Sequence, residues 1–492
     1  MKKQAAKWTA VIATAAMAAA MLPGTQVFAK GKPEIKVVMP TAGNYENTPA
    51  VEAAIDEKLE ELGINATVSL KYLNWGNYDE QVNLMLTNSD ECDLVFLYGT
   101  LNTKVNSGMV LDLTNYWENA GEEIKELIPD WVIEGTKIND ELYGIPCNIE
   151  RSHEATFVVN KEIANELGFE FEDDRVYTLD ECHEMLVKAK EAYPDKQILV
   201  PQLGNTLIGG WSWENMGDSY NIGVIEQYGT EDKVISVTEC EDFLTLAHTM
   251  REWYQEGLIM QDILSNAENF DQALTEGRVV AEFSDGCEPA GQSDSEDFKK
   301  YAFTVVPNWV NSTAGVRMVY AVNAMTNYPD ESFAVLEQLY ANKEIQTLLG
   351  YGIEGENYVI DETGRANYPD GVTAENDTYT TIFSNWLVVP NADTGFAPYF
   401  FQADRWEKVK EYDEGAVAKS NAVGCVFDSY AVVDEYAACI NVMNKYYNSI
   451  LSGAVDPDET IAMMKEELEV AGEAKVIEEK QRQLDAHMAA QN

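Results

Sequence analysis

Between Glu34 and Leu97 the sequence switches repeatedly between two hydrophobic periods, a pattern that few folds accommodate. Glu34 to Met39 reads as a short strand. Thr48-Pro49 then opens a helix with Val51, Ile55, Leu59 and Leu62 on one face, stopped by Gly63. Val68, Leu70 and Tyr72 alternate as a second strand, Asn77 with Glu80 caps a helix carrying Val82 and Leu86, and Asp93 to Leu97 is a third strand. Strand, helix, strand, helix, strand at this spacing requires right-handed crossovers and a parallel sheet. A ligand then sits beyond the carboxyl ends of the strands. That puts the loops at Thr41 to Tyr45, Asn74-Trp75 and Tyr98-Gly99 on one rim.

A chain of 492 residues is too long for one ordinary core. The pattern restarts at Asn160. Thr178-Leu-Asp-Glu181 is a capping box opening a helix to Ala192, and a strand follows at Ile198 to Val200. Thr238-Glu-Cys-Glu241 reads as a second capping box, with Phe243, Leu246, Met250 and Trp253 or Tyr254 on the buried face of its helix. Residues 276–286, EGRVVAEFSDG, give a glycine turn and a strand. From Tyr430 to Asn492 the chain reads as helices, with a clear start at Asp456-Pro-Asp-Glu459.

Lys2, Lys3 and Lys7, the apolar run Trp8 to Leu22 and the small-x-small site Val27-Phe28-Ala29 mark residues 1–29 as an export signal. The net charge of −50 excludes nucleic acid as partner, because phosphate backbones are held by clustered Lys and Arg. Seven cysteines, an odd count with no C-x-x-C spacing, argue against a disulfide framework or a zinc site. Four histidines, and no G-x-S-x-G, H-E-x-x-H, P-loop or calcium loop, leave no catalytic or metal constellation, and no cofactor is implied.

Three motifs carry a resemblance. An amphipathic helix behind Asn327-Tyr328-Pro329-Asp330, ending at Gly350, runs into YGIEGENYVI, Tyr351 to Ile360. A hairpin turning at Asn139-Asp140 leads into YGIPC, Tyr143 to Cys147. The strand in EGRVVAEFSDG is the third. In these the chain resembles bacterial extracellular solute-binding proteins of ABC importers, the family 1 sugar-binding type with a distinctive C-terminal domain of unknown function. The resemblance implies a two-lobed α/β periplasmic-binding-protein-like fold of type II, each lobe a mostly parallel sheet flanked by helices, joined by several hinge crossings. The expected division is residues 30–152 plus 304–350 for lobe 1 and 153–303 plus 351–492 for lobe 2, with a third crossing near Tyr351 and a helical region at about 430–492.

The same resemblance implies a monomeric, exported binder that closes on a carbohydrate, an oligosaccharide, and hands it to the transmembrane subunits of an ABC permease. Members of this group are usually lipoproteins held by a Cys just after the signal peptide, yet residues 1–91 hold no Cys, so the exported protein is either released, retained through its partner, or begins differently in its native form. A secreted carbohydrate-active hydrolase and a binder of another solute such as a peptide are the alternatives. Sugars need aromatic platforms and hydroxyl-binding amides and carboxylates. The expected platforms are Tyr45, Trp75 and Tyr98 on the rim, Trp211 and Trp213 in GGWSWEN, and Trp386; packing of the loop onto its own lobe is the alternative for the two in GGWSWEN. The expected polar contacts are Asn44, Glu150 and Asp285, with Arg151 pairing either an acidic sugar or Glu150.

Overall fold

The computed structural model describes residues 31–490, apart from 42, 139, 173–174, 202–210, 266–269, 287–298, 380 and 383–387. Strands β1 (Glu34–Thr41), β2 (Thr67–Asn74) and β3 (Leu94–Tyr98) are the three parallel strands that the alternating periods demand. The helix Thr48–Glu61 buries Val51, Ile55 and Leu59 against the sheet. Leu62, expected on that face, lies just past the helix end and is exposed. Thr41 pairs with Asn74, and β1 and β3 are in register through Val37 and Leu94, so the three strands end together. Strand β4 (Ile145–Pro146) and the late strand β9 (Met318–Val322) complete the sheet in the order β2-β1-β3-β9-β4, with β9 antiparallel to both neighbours.

The second sheet is mixed and has the order β6-β7-β5-β8, built from β5 (His153–Asn160), β6 (Gln197–Val200), β7 (Val279–Gly286) and β8 (Lys300–Trp309). Only the β6–β7 pairing is parallel, because β5, which enters from the first lobe, runs against both of its neighbours, β7 and β8. The capping boxes fare differently. Thr178 and Glu181 cap each other's backbone as expected, whereas the helix Glu241–Gln255 starts after a 3-10 turn in which the Ser236 side chain accepts from Thr238 N.

Two boundaries move. β8 runs along β5 over its whole length, so the chain leaves the second lobe after Trp309 and not at residue 304. The expected crossing near Tyr351 is absent. Tyr351, Tyr358, Tyr379, Ile382, Val388 and Ala392 all join the first core, where the Tyr320 hydroxyl donates to Val388 O at 2.5 Å. Burying that many aromatic rings outweighs the change of direction that the turn-rich sequence suggests. The helix before it is also two helices, Pro329–Ala341 and Lys343–Tyr351, because the Asn342 side chain accepts from Glu344 N and Ile345 N and restarts it. Tyr351 is its last residue, and Gly352, at φ +83, turns the chain out.

The C-terminal helices Val433–Leu451, Pro457–Ala471 and Glu473–Ala490 pack on the second lobe. The last is pinned by Lys480, fully buried, whose Nζ donates to Asp218 Oδ2 at 2.8 Å and to Gly223 O at 2.9 Å.

Candidate functional site

The common ends of β1, β2 and β3 carry the rim residues. Asn74 accepts from Gly76 N at 2.8 Å and so caps the 3-10 turn Trp75–Asn77, which turns Trp75 back over the sheet end. Its indole meets Phe96 and Tyr98 edge to face, the latter at 5.9 Å. Tyr98 is 48% exposed, so this pair presents open aromatic surface. Tyr45 stacks on Tyr72 at 3.7 Å, and the Tyr72 and Tyr379 hydroxyls are 2.6 Å apart. Asn44 is used partly inside the lobe, donating from Nδ2 to Asp377 O at 2.9 Å.

YGIEGENY explains how that loop is held. Asn357 is fully buried; its Oδ1 accepts from Ile353 N and Asn47 Nδ2 at 3.0 Å each, and its Nδ2 donates to Asp377 Oδ1 and Thr378 Oγ1 at 3.1 Å each. All four side-chain hydrogen-bonding capacities are therefore taken. The motif fastens the β1 loop to residues 377–379. Asn357 and Asp377 escape sequence reasoning because neither follows a strand, although an Asn inside a glycine-flanked motif is a signal of a backbone-binding hub.

Glu150 and Arg151, expected as polar contacts to ligand, are committed to the hinge. Glu150 lies 3.8 Å from the Arg405 guanidinium, both side chains 1% exposed. Arg151 pairs with Asp413, at 3.9 Å, and donates to Asn148 Oδ1 at 3.1 Å. Asp413 also accepts from Ser152 N and Oγ at 2.9 and 2.7 Å, while burial raises its pKa against these contacts. The helix Arg405–Glu414 thus grips the first crossing at both of its ends.

His153 opens β5 with Arg317 Nη1 at 3.2 and 3.1 Å from its ring nitrogens. Burial, then the guanidinium charge, push its pKa well below the usual 6.5. The folded state therefore binds fewer protons than the unfolded chain below that value, and stability falls as pH drops. Chemical denaturation of the parent and of His153→Gln from pH 8 to 5 should show a constant difference above about pH 6.5 and a parent that loses about 1.4 kcal/mol per pH unit relative to the variant below it. A flat difference would mean that His153 is not held neutral.

Trp211 and Trp213 belong to the core of the second lobe. Trp211 meets Phe283 edge to face at 6.0 Å; Trp213, 1% exposed, meets Phe243 at 6.2 Å and donates from Nε1 to Asn221 Oδ1 at 3.2 Å. This is the packing alternative for that stretch. Its neighbour Glu214 does what no motif announced: its buried carboxylate accepts from Ser312 N and Oγ at 2.7 Å each and from Met216 N at 2.5 Å. Asp285 stands in β7 opposite Ala155. Trp386 lies outside the described residues.

Among the described residues no group of three His, Cys, Asp or Glu could hold a metal ion, and no helix is long and apolar enough to cross a membrane. The six described cysteines are buried and free, and burial raises the thiol of Cys92 to about 12.

A family model described as bacterial extracellular solute-binding protein matches residues 54–353, and one described as a domain of unknown function, DUF3502, matches residues 421–489. A carbohydrate ABC transporter substrate-binding protein of Streptococcus pneumoniae is 23% identical over 438 residues, 87% of this chain and 86% of that protein. Among solved structures, an N-glycan transport solute-binding protein from Streptococcus pneumoniae superposes with a TM-score of 0.79 at 21% identity, covering 94% of this chain and all of the other. An extracellular solute-binding protein from Bifidobacterium longum subsp. infantis gives 0.64 at 16% identity, covering 94% and 99%. These likenesses establish the two-lobed α/β periplasmic-binding-protein fold.

Proposed function

We propose that this chain, which belongs to the bacterial extracellular solute-binding protein family, captures an oligosaccharide between its lobes as a monomer and presents it to the permease of an ABC importer. The family binds solutes and does not transform them, which sets the hydrolase alternative aside. The observation that carries the carbohydrate reading is the Trp75–Tyr98 pair, because an edge-to-face platform at a strand-end rim suits the flat apolar face of a pyranose. The description of the Streptococcus pneumoniae relative as a carbohydrate transporter component supports the same class. Tyr45 and Asn44 would flank the platform; Asp285, in β7 of the second lobe, and Trp386 stay candidates.

The test is a thermal-shift screen of residues 30–492 against oligosaccharides, with product analysis of each hit. A ligand at a hundredfold excess over its Kd adds about 2.7 kcal/mol. The sugar should be recovered intact, and Trp75→Ala should weaken binding by about 2 kcal/mol or more, which is over tenfold in Kd, without loss of folding. Silence across sugars with a shift from peptides would overturn the reading.

A further inference from the structure

Three glycines from separate parts of the chain meet beside the second hinge crossing. Gly135 ends the helix Asp130–Glu134 of the first lobe, Gly315 lies in the crossing, and Gly424 lies in the segment that follows the helix Arg405–Glu414. A Cβ on Gly424 would stand 2.6 Å from Gly135 Cα and 2.9 Å from its carbonyl oxygen; one on Gly315 would stand 2.9 Å from Val132 O and 3.5 Å from Gly135 C. Backbone therefore lies on backbone, an approach that only glycine permits.

Each side of this seam is tied to a different lobe. Residues 418–424 run with the second lobe: Ser420 N donates to Val310 O, Asn421 N to Gly229 O and Gly424 N to Ser312 O. Ser312 is in turn the residue that Glu214 grips. On the other side, Val132 and Ile133 are in the first core, and the buried Thr136 hydroxyl faces Val132 O and Gly315 O at 2.7 and 3.0 Å. Lys419 reaches across, its Nζ 4.2 Å from the centre of the Trp131 ring. In this crossing the second lobe holds residue 312 and the first lobe holds residue 315. Between the two holds only Thr313-Ala314, next to the seam, remains as the link.

We propose that the Gly135–Gly315–Gly424 seam is the pivot on which the lobes turn, with Glu214 and Thr136 as the positioning residues that confine the bend. Two bodies joined by so short a link turn about a point beside it, and where glycine backbone meets glycine backbone no side chains interdigitate to block the turn, the Lys419–Trp131 contact lying on its flank. This rests on the reading of the protein as a closing binder, but its test needs no ligand.

Fluorophores on non-canonical residues at Lys58 and Lys188 report the distance between lobes by single-molecule energy transfer, in a Cys287→Ser background. Gly135 has a helical φ of −69, so Gly135→Val adds bulk to the seam without backbone strain. It should shift the mean distance between lobes, whereas Gly135→Ala, whose Cβ would lie 3.3 Å or more from its neighbours, should not. A second arm tethers the folded protein across the seam, joining Trp131→Cys to Lys419→Cys with a short bis-maleimide. A pivot tolerates the tether, and the spread of lobe distances should stay that of the untethered protein. A mean unmoved in folded Gly135→Val, or a spread that narrows on tethering, would overturn the proposal. If Gly135→Val does not fold, the tether decides alone.

Discussion

Arg405→Met is expected to lower the unfolding free energy by about 3–5 kcal/mol, the range for leaving one member of a buried ion pair uncompensated. Met keeps most of the bulk against Phe401, whose ring centre is 3.7 Å from the guanidinium carbon, so the loss isolates charge from packing. Glu150 stays 1% exposed and loses the nearer guanidinium, with the charge of Arg151 still beside it. Removing that charge too, in Arg405→Met with Glu150→Gln, should recover a large part of the loss, since replacing both partners of a buried pair is far milder than replacing one. Urea denaturation of the two single variants and the double variant measures the coupling directly. A single variant within about 0.5 kcal/mol of the parent, the span of an ordinary surface change, would show that the pair does not tie the crossings. The position of the pair explains why it is worth burying: Glu150 is on the first crossing and Arg405 starts the helix that ends with Asp413 on Arg151 and Ser152. One helix so held sets where the chain leaves each lobe.

Local periodicity was sufficient for what is local. β1 to β3, the helix Thr48–Glu61 and the Thr178 capping box stand where the pattern puts them. The rim followed, because parallel strands in register must end together. Lobe membership after residue 300 did not follow. β8 alternates like a strand of either sheet, and only its pairing with β5 decides; the segment after Tyr351 is rich in turn residues, yet its aromatics are spaced to reach one core across a long stretch of sequence. The polar site residues divide the same way. Asn44 and Tyr45 were legible from a strand end, whereas Glu150 and Arg151 were placed beside the hinge but their partners, Arg405 and Asp413, lie more than 250 positions away. An acid near a cleft and an acid in a hinge have the same sequence signature.

Trp213→Ala should be the other costly change, at about 3–5 kcal/mol, the range for truncating a buried aromatic to Ala. Its magnitude separates the two readings of GGWSWEN. A ligand platform is half exposed in the free protein, so its truncation weakens binding and leaves stability nearly intact. A core indole does the opposite, and Trp213 combines burial, an edge contact to Phe243 and a donated hydrogen bond to Asn221. Denaturant midpoints on Trp213→Ala and Trp75→Ala, followed by binding to whichever sugar the screen finds at a temperature where both are folded, should give opposite profiles. Large instability with near-parental affinity is expected at 213, and the reverse at 75. Tenfold weaker binding with parental stability at Trp213 would return it to the cleft. The outcome also bears on the hinge, because Trp213 immediately precedes Glu214, the carboxylate that holds Ser312. An indole that fixes the Glu214 backbone fixes the second lobe's hold on the crossing. Trp213 then serves the core of the second lobe and its grip on Ser312, and not contact with the sugar.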